Sequence, residues 1–146
     1  MVKRQGKRPA KARAQAAKAT AAKVTKSPKK AKAQVIRFED VEFKPRFAYG
    51  DQAQIGQVTG GDQGAEFGYG FARMTNAKIP WTITYDEILY IVSGVLRVHI
   101  GSKVLEAGPG DSIWLPAGTE LVYECESCLM AYAIHPINAA PSAPKR

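Results

Sequence analysis

The chain has 146 residues and a formal net charge of +8, with 45% hydrophobic and 9% aromatic residues. That length supports one domain with a buried core and leaves little room for a second. Its two cysteines are too few for a disulfide framework. No apolar run reaches the length of a membrane span, and no signal-peptide core follows the basic start. The expectation is therefore a soluble, cytoplasmic protein without membrane insertion.

The charge is unevenly placed. Residues 1–34 hold twelve Lys or Arg and no acid, so this segment carries +12. Beyond it, thirteen acids face nine bases and leave the body at −4. The first segment is almost all Ala and Lys and cannot bury a core, which predicts a disordered basic tail over 1–34. Its Ala content would let residues 11–26 become helical on a charged surface. It is open to four readings: a solubilising extension, a nucleic-acid contact, a docking peptide for an acidic partner protein, or a transit peptide.

From residue 35 the sequence predicts an all-β domain reaching to 138, followed by a disordered end over 139–146. Segments rich in β-branched and aromatic residues alternate with Gly, Pro and Asp. The first candidate strand runs over 34–43, followed by strands at 53–60, 66–75, 81–85 and 87–92. Further strands are expected at 95–100, 103–107, 111–116, 120–126 and 129–136. Turns are placed at Gly60-Gly61, Ser93-Gly94, Gly101-Ser102, Gly108-Pro109-Gly110 and Pro116-Ala117-Gly118. Many short strands with Gly/Pro turns point to a sandwich or barrel.

Strand parity sharpens one hairpin. If Ser93-Gly94 is a two-residue turn, Tyr90 faces Arg97 and Ile88 faces His99. Glu87, Leu89 and Ile91 then share an apolar interior face with Leu96, Val98 and Ile100, and His99 lies outside. A lone carboxylate on that face is costly unless paired.

The spacing Glu87-x6-Gly94, followed by "GPGDSIWLPAGTEL", resembles the paired motifs of the cupin superfamily, small jelly-roll β-barrels. "PWTITYDE" with "GVL", "AGPGD" and "LPAG" is similar to the C-terminal cupin domain of ethanolamine-utilisation EutQ proteins. The resemblance covers residues 35–138. It implies a context of ethanolamine or small-amine catabolism, association with a bacterial microcompartment, and an acetate kinase-like activity. On this resemblance the N-terminal half of EutQ proteins is expected to be absent, with the basic tail in its place. Metal-binding cupins carry two histidines before the glutamate and a third after Pro-x-Gly. Those positions fall on Trp81 and Ile83, or Pro80 and Thr82, and on Leu121. None can bind a metal, so no metal or other cofactor is expected.

What remains is a set of inward positions: Trp81, Ile83, Tyr85 and Glu87, faced by Leu121 and Tyr123. An aromatic wall with one carboxylate suits a small cationic ligand. Alternatively, Glu87 simply hydrogen-bonds a tyrosine or the backbone and closes the barrel. A catalytic reading, isomerase or lyase, would pair Glu87 with a phenol such as Tyr85 or Tyr123. For kinase chemistry the sequence contains no Gly-x4-Gly-Lys-Ser/Thr loop. His99 and His135 read as solvated or structural. "CESC" (Cys125 to Cys128) could be a redox pair or half of an intersubunit zinc site, but reads first as ordinary loop cysteines. Pairing of the 35–43 edge strand with a second copy would give a homodimer.

Overall fold

The computed structural model describes residues 31–141. The expectations for residues 1–30 and 142–146 lie outside the described residues. Eight strands form one antiparallel sheet that curls into a barrel: β1 (Phe43–Pro45), β2 (Ala53–Thr59), β3 (Gly68–Thr82), β4 (Asp86–Gly94), β5 (Leu96–Ile100), β6 (Lys103–Ala107), β7 (Ser112–Leu115) and β8 (Glu120–His135). Their order is β1-β2-β3-β8-β4-β7, with β5 joined to β6 and β8. The fold is that of a cupin jelly roll. The remaining elements among the described residues are short 3-10 turns, and no helix there is long and apolar enough to cross a membrane.

Two long strands carry the barrel. β3 and β8 pair from Gly68↔Ile134 to Thr82↔Glu120. Each replaces two expected strands, because the chain bends without leaving the ladder. At Thr75–Asn76 and at Glu126–Ser127 two successive residues are exposed, so the alternation of inward and outward side chains shifts by one in both strands. Asn76 takes φ +45 at this corner, a left-handed conformation that Asn tolerates better than most residues. Beyond the corner, β8 exchanges one neighbour for another. Its C-terminal half pairs with β4 and its N-terminal half with β5.

This arrangement corrects the hairpin. β4 and β5 do not pair with each other; Ser93-Gly94 is where the chain passes from one part of β8 to another. Ile88 faces Trp114 and Ala133, and Tyr90 faces Ser112 and Ala131. The inward parity nevertheless holds: Leu89, Ile91, Leu96 and Val98 are buried with Ile83, Leu115 and Met130. Each such aliphatic side chain contributes about 1.5–3 kcal/mol of burial.

The ends also differ from expectation. No strand runs over 35–43; a 3-10 turn occupies Phe38–Asp40, and the edge strand is only Phe43–Pro45. The ring of Phe38 meets Phe71 edge-on at 4.9 Å and so lies against the barrel wall. The expected C-terminal end starts too early at 139. Thr84 Oγ1 donates to the Ala139 carbonyl, and Ala140 and Pro141 line the barrel cavity.

The cupin-motif loops have structural roles. Asp111 accepts from the Gly108 N–H at 2.9 Å and Asp86 from the Ala117 N–H at 2.9 Å. Gly118 N–H donates to the Ile83 carbonyl at 2.7 Å. The second turn is thereby pinned to β4 and to the β3–β4 connection, and the Gly110 N–H, donating to the Ile91 carbonyl at 2.9 Å, pins the first to β4.

Candidate ligand site in the barrel

The barrel holds a cavity of ≈ 210 Å³. β3 supplies Ala72, Met74, Ile79 and Trp81; β4 supplies Glu87 and Leu89; β8 supplies Tyr123, Met130, Tyr132 and Ile134. Ile55, Gln57 and Thr59 come from β2, Tyr85 from the β3–β4 connection, and Arg46 from the turn between β1 and β2. Apolar residues form most of the wall, and a few polar groups converge on one region, as in small-molecule sites generally.

Glu87 is the buried charged residue of the described core, 7% exposed. The Tyr123 phenol donates to its Oε2 at 2.8 Å. Burial raises the Glu87 carboxyl to about 7, although the Tyr123 hydrogen bond and the Arg46 charge pull the other way. Burial likewise raises Tyr85 and Tyr123, with the Glu87 charge adding to the effect, and pushes Tyr132 up to about 12. At neutral pH the site therefore holds three neutral phenols, a carboxyl between its two states, and the Arg46 cation.

Arg46 is the residue that sequence reasoning missed. Its guanidinium carbon lies 4.9 Å from the Trp81 ring centroid and 4.4 Å from that of Phe47. Phe47 in turn stacks on Trp81 at 6.0 Å and 10°, with Tyr49 edge-on at 6.4 Å. Phe47 adopts φ +46, an unusual conformation for a bulky side chain that costs on the order of 1–3 kcal/mol. Stacking on Trp81 and the cation above it offset that cost. Nothing in the composition of "KPRFAYG" marks this turn, so strand parity could not aim Arg46 at the barrel.

Of the six expected ligand-binding residues, Trp81, Tyr85, Glu87 and Tyr123 line the cavity. Ile83 and Leu121 do not. The chain leaves the strand at Ile83, whose N–H donates to the Thr119 carbonyl at 3.0 Å, and its side chain packs into the core with no exposure. Leu121 lies under an open outer groove bordered by Tyr49, Trp81 and Pro141. His99 is outside the cavity, with Nε2 3.1 Å from Glu124 Oε2, and His135 ends β8 exposed. Cys125 and Cys128 are not loop residues; both are buried in β8.

The donors present do not fit a cupin metal. Trp81, Ile83 and Leu121, or Pro80 and Thr82, stand where histidines would be, and a cation at Glu87 would face Arg46. Among the described residues no cluster of three His, Cys, Asp or Glu side chains forms.

Residues 5–140 match the family of the ethanolamine utilisation protein EutQ. The chain belongs to the EutQ family. That match includes most of the basic segment as well as the barrel. The acetate kinase EutQ of Escherichia coli K12 is 33% identical over 79 residues, covering 53% of this chain and 34% of that protein. The acetate kinase EutQ of Clostridioides difficile is 29% identical over 62 residues, covering 42% and 40%. The chain thus spans well under half the length of the curated EutQ relatives it matches. A crystal structure of ethanolamine utilization protein Q from Salmonella typhimurium LT2 is 26% identical, with a TM-score of 0.65 over 71% of this chain and 86% of that one.

Proposed function

We propose that this EutQ-family cupin binds a small, oxygen-bearing metabolite in its barrel, in the service of ethanolamine or other small-amine catabolism. A carboxylate or carbonyl group would lie on Arg46, and a second oxygen would meet Glu87 and the phenols. The observation that carries this reading is Arg46 sharing one cavity with Glu87. It revises the expected cationic ligand. The Trp81 face that would receive an ammonium already carries the Arg46 guanidinium, and Glu87 is only partly ionised at neutral pH.

The two ligand classes predict opposite pH trends. A carboxylate loses affinity as Glu87 ionises above about pH 7, whereas an ammonium gains it. Calorimetry with acetate, acetyl phosphate and ethanolamine at about pH 6 and about pH 8 tests this. Binding of a carboxylate or acyl ligand, tighter at the lower pH and lost in Arg46→Ala, is the expected result. Ethanolamine binding that strengthens with pH and disappears in Glu87→Gln would restore the cationic reading. No heat from any of them would remove this reading.

A second reading, acetate kinase-like chemistry, is favoured by the relatives' activity and by the size of acetate. It would also require a seat for the phosphoryl donor. An isomerase or lyase role would use Glu87 and Tyr85 or Tyr123 as the proton-handling groups. For assembly, the exposed Ile88, Tyr90, Val92 and Trp114 on the outer face of β4 and β7 support a homodimer through that face. The basic segment would dock an acidic partner, in a microcompartment or on nucleic acid, and deleting residues 1–30 tests that separately from ligand binding.

A further inference from the structure

Cys125 and Cys128 lie three residues apart on one strand, where an unbroken pleat would send them to opposite faces. The corner at Glu126–Ser127 turns both inward. Both side chains are buried, 3% and 4% exposed, and both are free thiols. The Cys128 thiol donates to Cys125 Sγ at 2.8 Å, and Cys125 Sγ lies 3.7 Å from the Met74 carbonyl. Gly94 is packed directly against Cys128, so three strands hold the pair in place. Apolar packing alone does not require two thiols in contact here.

We infer that Cys125 and Cys128 are a modification site: a dithiol that hydrogen peroxide oxidises to an intrachain disulfide across the bend of β8. With both sulfurs buried, a small oxidant such as hydrogen peroxide would reach them where a bulky one such as glutathione disulfide would not. Cys125 is the attacking sulfur, because the hydrogen bond from Cys128 lowers its thiol while raising that of Cys128. Cys125 sulfur attacks one peroxide oxygen and the O–O bond breaks. Hydroxide leaves and takes up the thiol proton as water, leaving a sulfenic acid. Cys128 sulfur then displaces the sulfenic hydroxyl, and its own proton leaves with it as a second water. Two thiols are oxidised, one peroxide is reduced, and one S–S bond forms. The bond would fix the corner that orients Met74 and Tyr123, both of which line the cavity.

The full chain is exposed to hydrogen peroxide, denatured, and treated with a thiol-alkylating reagent before intact-mass measurement. The expected product has lost two hydrogens and both alkylation sites together, remains a single chain on a non-reducing gel, and reverts with a dithiol reductant. Cys128→Ser should accumulate a dimedone-reactive sulfenic acid at Cys125, and Cys125→Ser should lose its thiol at least about tenfold more slowly. Retention of both alkylation sites under peroxide that oxidises a thiol peptide in the same tube would overturn the proposal. So would disulfides formed only between chains, or separate oxidation of each sulfur to the sulfonic acid. Should either variant fail to fold, the wild-type mass measurement decides alone.

Discussion

The Tyr123 phenol and the Glu87 carboxylate form the buried polar contact of this barrel, with oxygen to oxygen at 2.8 Å. Tyr123 reaches it from β8 and Glu87 from β4, which pairs with the other half of the same strand. The contact therefore spans the corner and links the two parts of the sheet.

Glu87→Gln removes a charge while keeping the shape and an acceptor for Tyr123. The Glu87 carboxyl is raised in the fold from 4.5 to about 7, so the native state holds its proton more firmly than the unfolded chain. The resulting stability is fully present below about pH 4.5 and is lost as pH rises through about 7, a change of about 3 kcal/mol. The variant should lack that slope and be the more stable protein at about pH 8. Urea melts of both proteins across this range check it; parallel pH profiles would contradict the raised carboxyl.

Tyr123→Phe should act in the opposite direction. It leaves an ionised Glu87 without its donor, and the carboxyl rises further. The expected cost is about 1–3 kcal/mol at a pH where Glu87 is charged, and markedly less where it is neutral. Comparing urea midpoints at the two pH values distinguishes this from a loss of packing, which would be equal at both.

Gly94→Ala should be among the most damaging small substitutions. Gly94 has φ +80, and an added Cβ would lie 2.0 Å from the Ser127 carbonyl oxygen and 2.8 Å from Cys128 Cα. Backbone atoms cannot give way as a flexible side chain can, so the loss should exceed about 3 kcal/mol. Gly101 is the matched control: its φ is +58 but nothing lies within 4 Å. Gly101→Ala should cost about 1 kcal/mol, the conformational penalty alone. Equal thermal shifts for the two variants would mean that the close approach at Gly94 is not the cause.

Much of the fold was legible because local chemistry set it. Runs such as "EILYIV" and "VLRVHI" carry period-two burial, and that pattern survives in β4 and β5 even though the two strands turn out not to pair. Glu87, Tyr85, Trp81 and Tyr123 were legible for the same reason. Parity failed where the backbone changes direction. Ile83 sits in the β3–β4 connection, and its alternation no longer aims it into the cavity. The expected strand over 35–43 failed too, since Phe38 finds its apolar partner, Phe71, by packing against the sheet from a turn.

The sequence by itself determined an all-β domain and most of its inward faces, because side-chain alternation and turn residues are local properties, while its resemblance to cupins came from the spacing of Glu87, Gly94 and the Gly/Pro turns. Only the tertiary structure decided that Arg46 shares the cavity with Glu87 and that Cys125 meets Cys128. The first depends on a turn held by Phe47 stacking on Trp81, residues 34 positions apart in the chain. The second depends on β3 and β8 bending together, with the ladder between them kept in register through the corner.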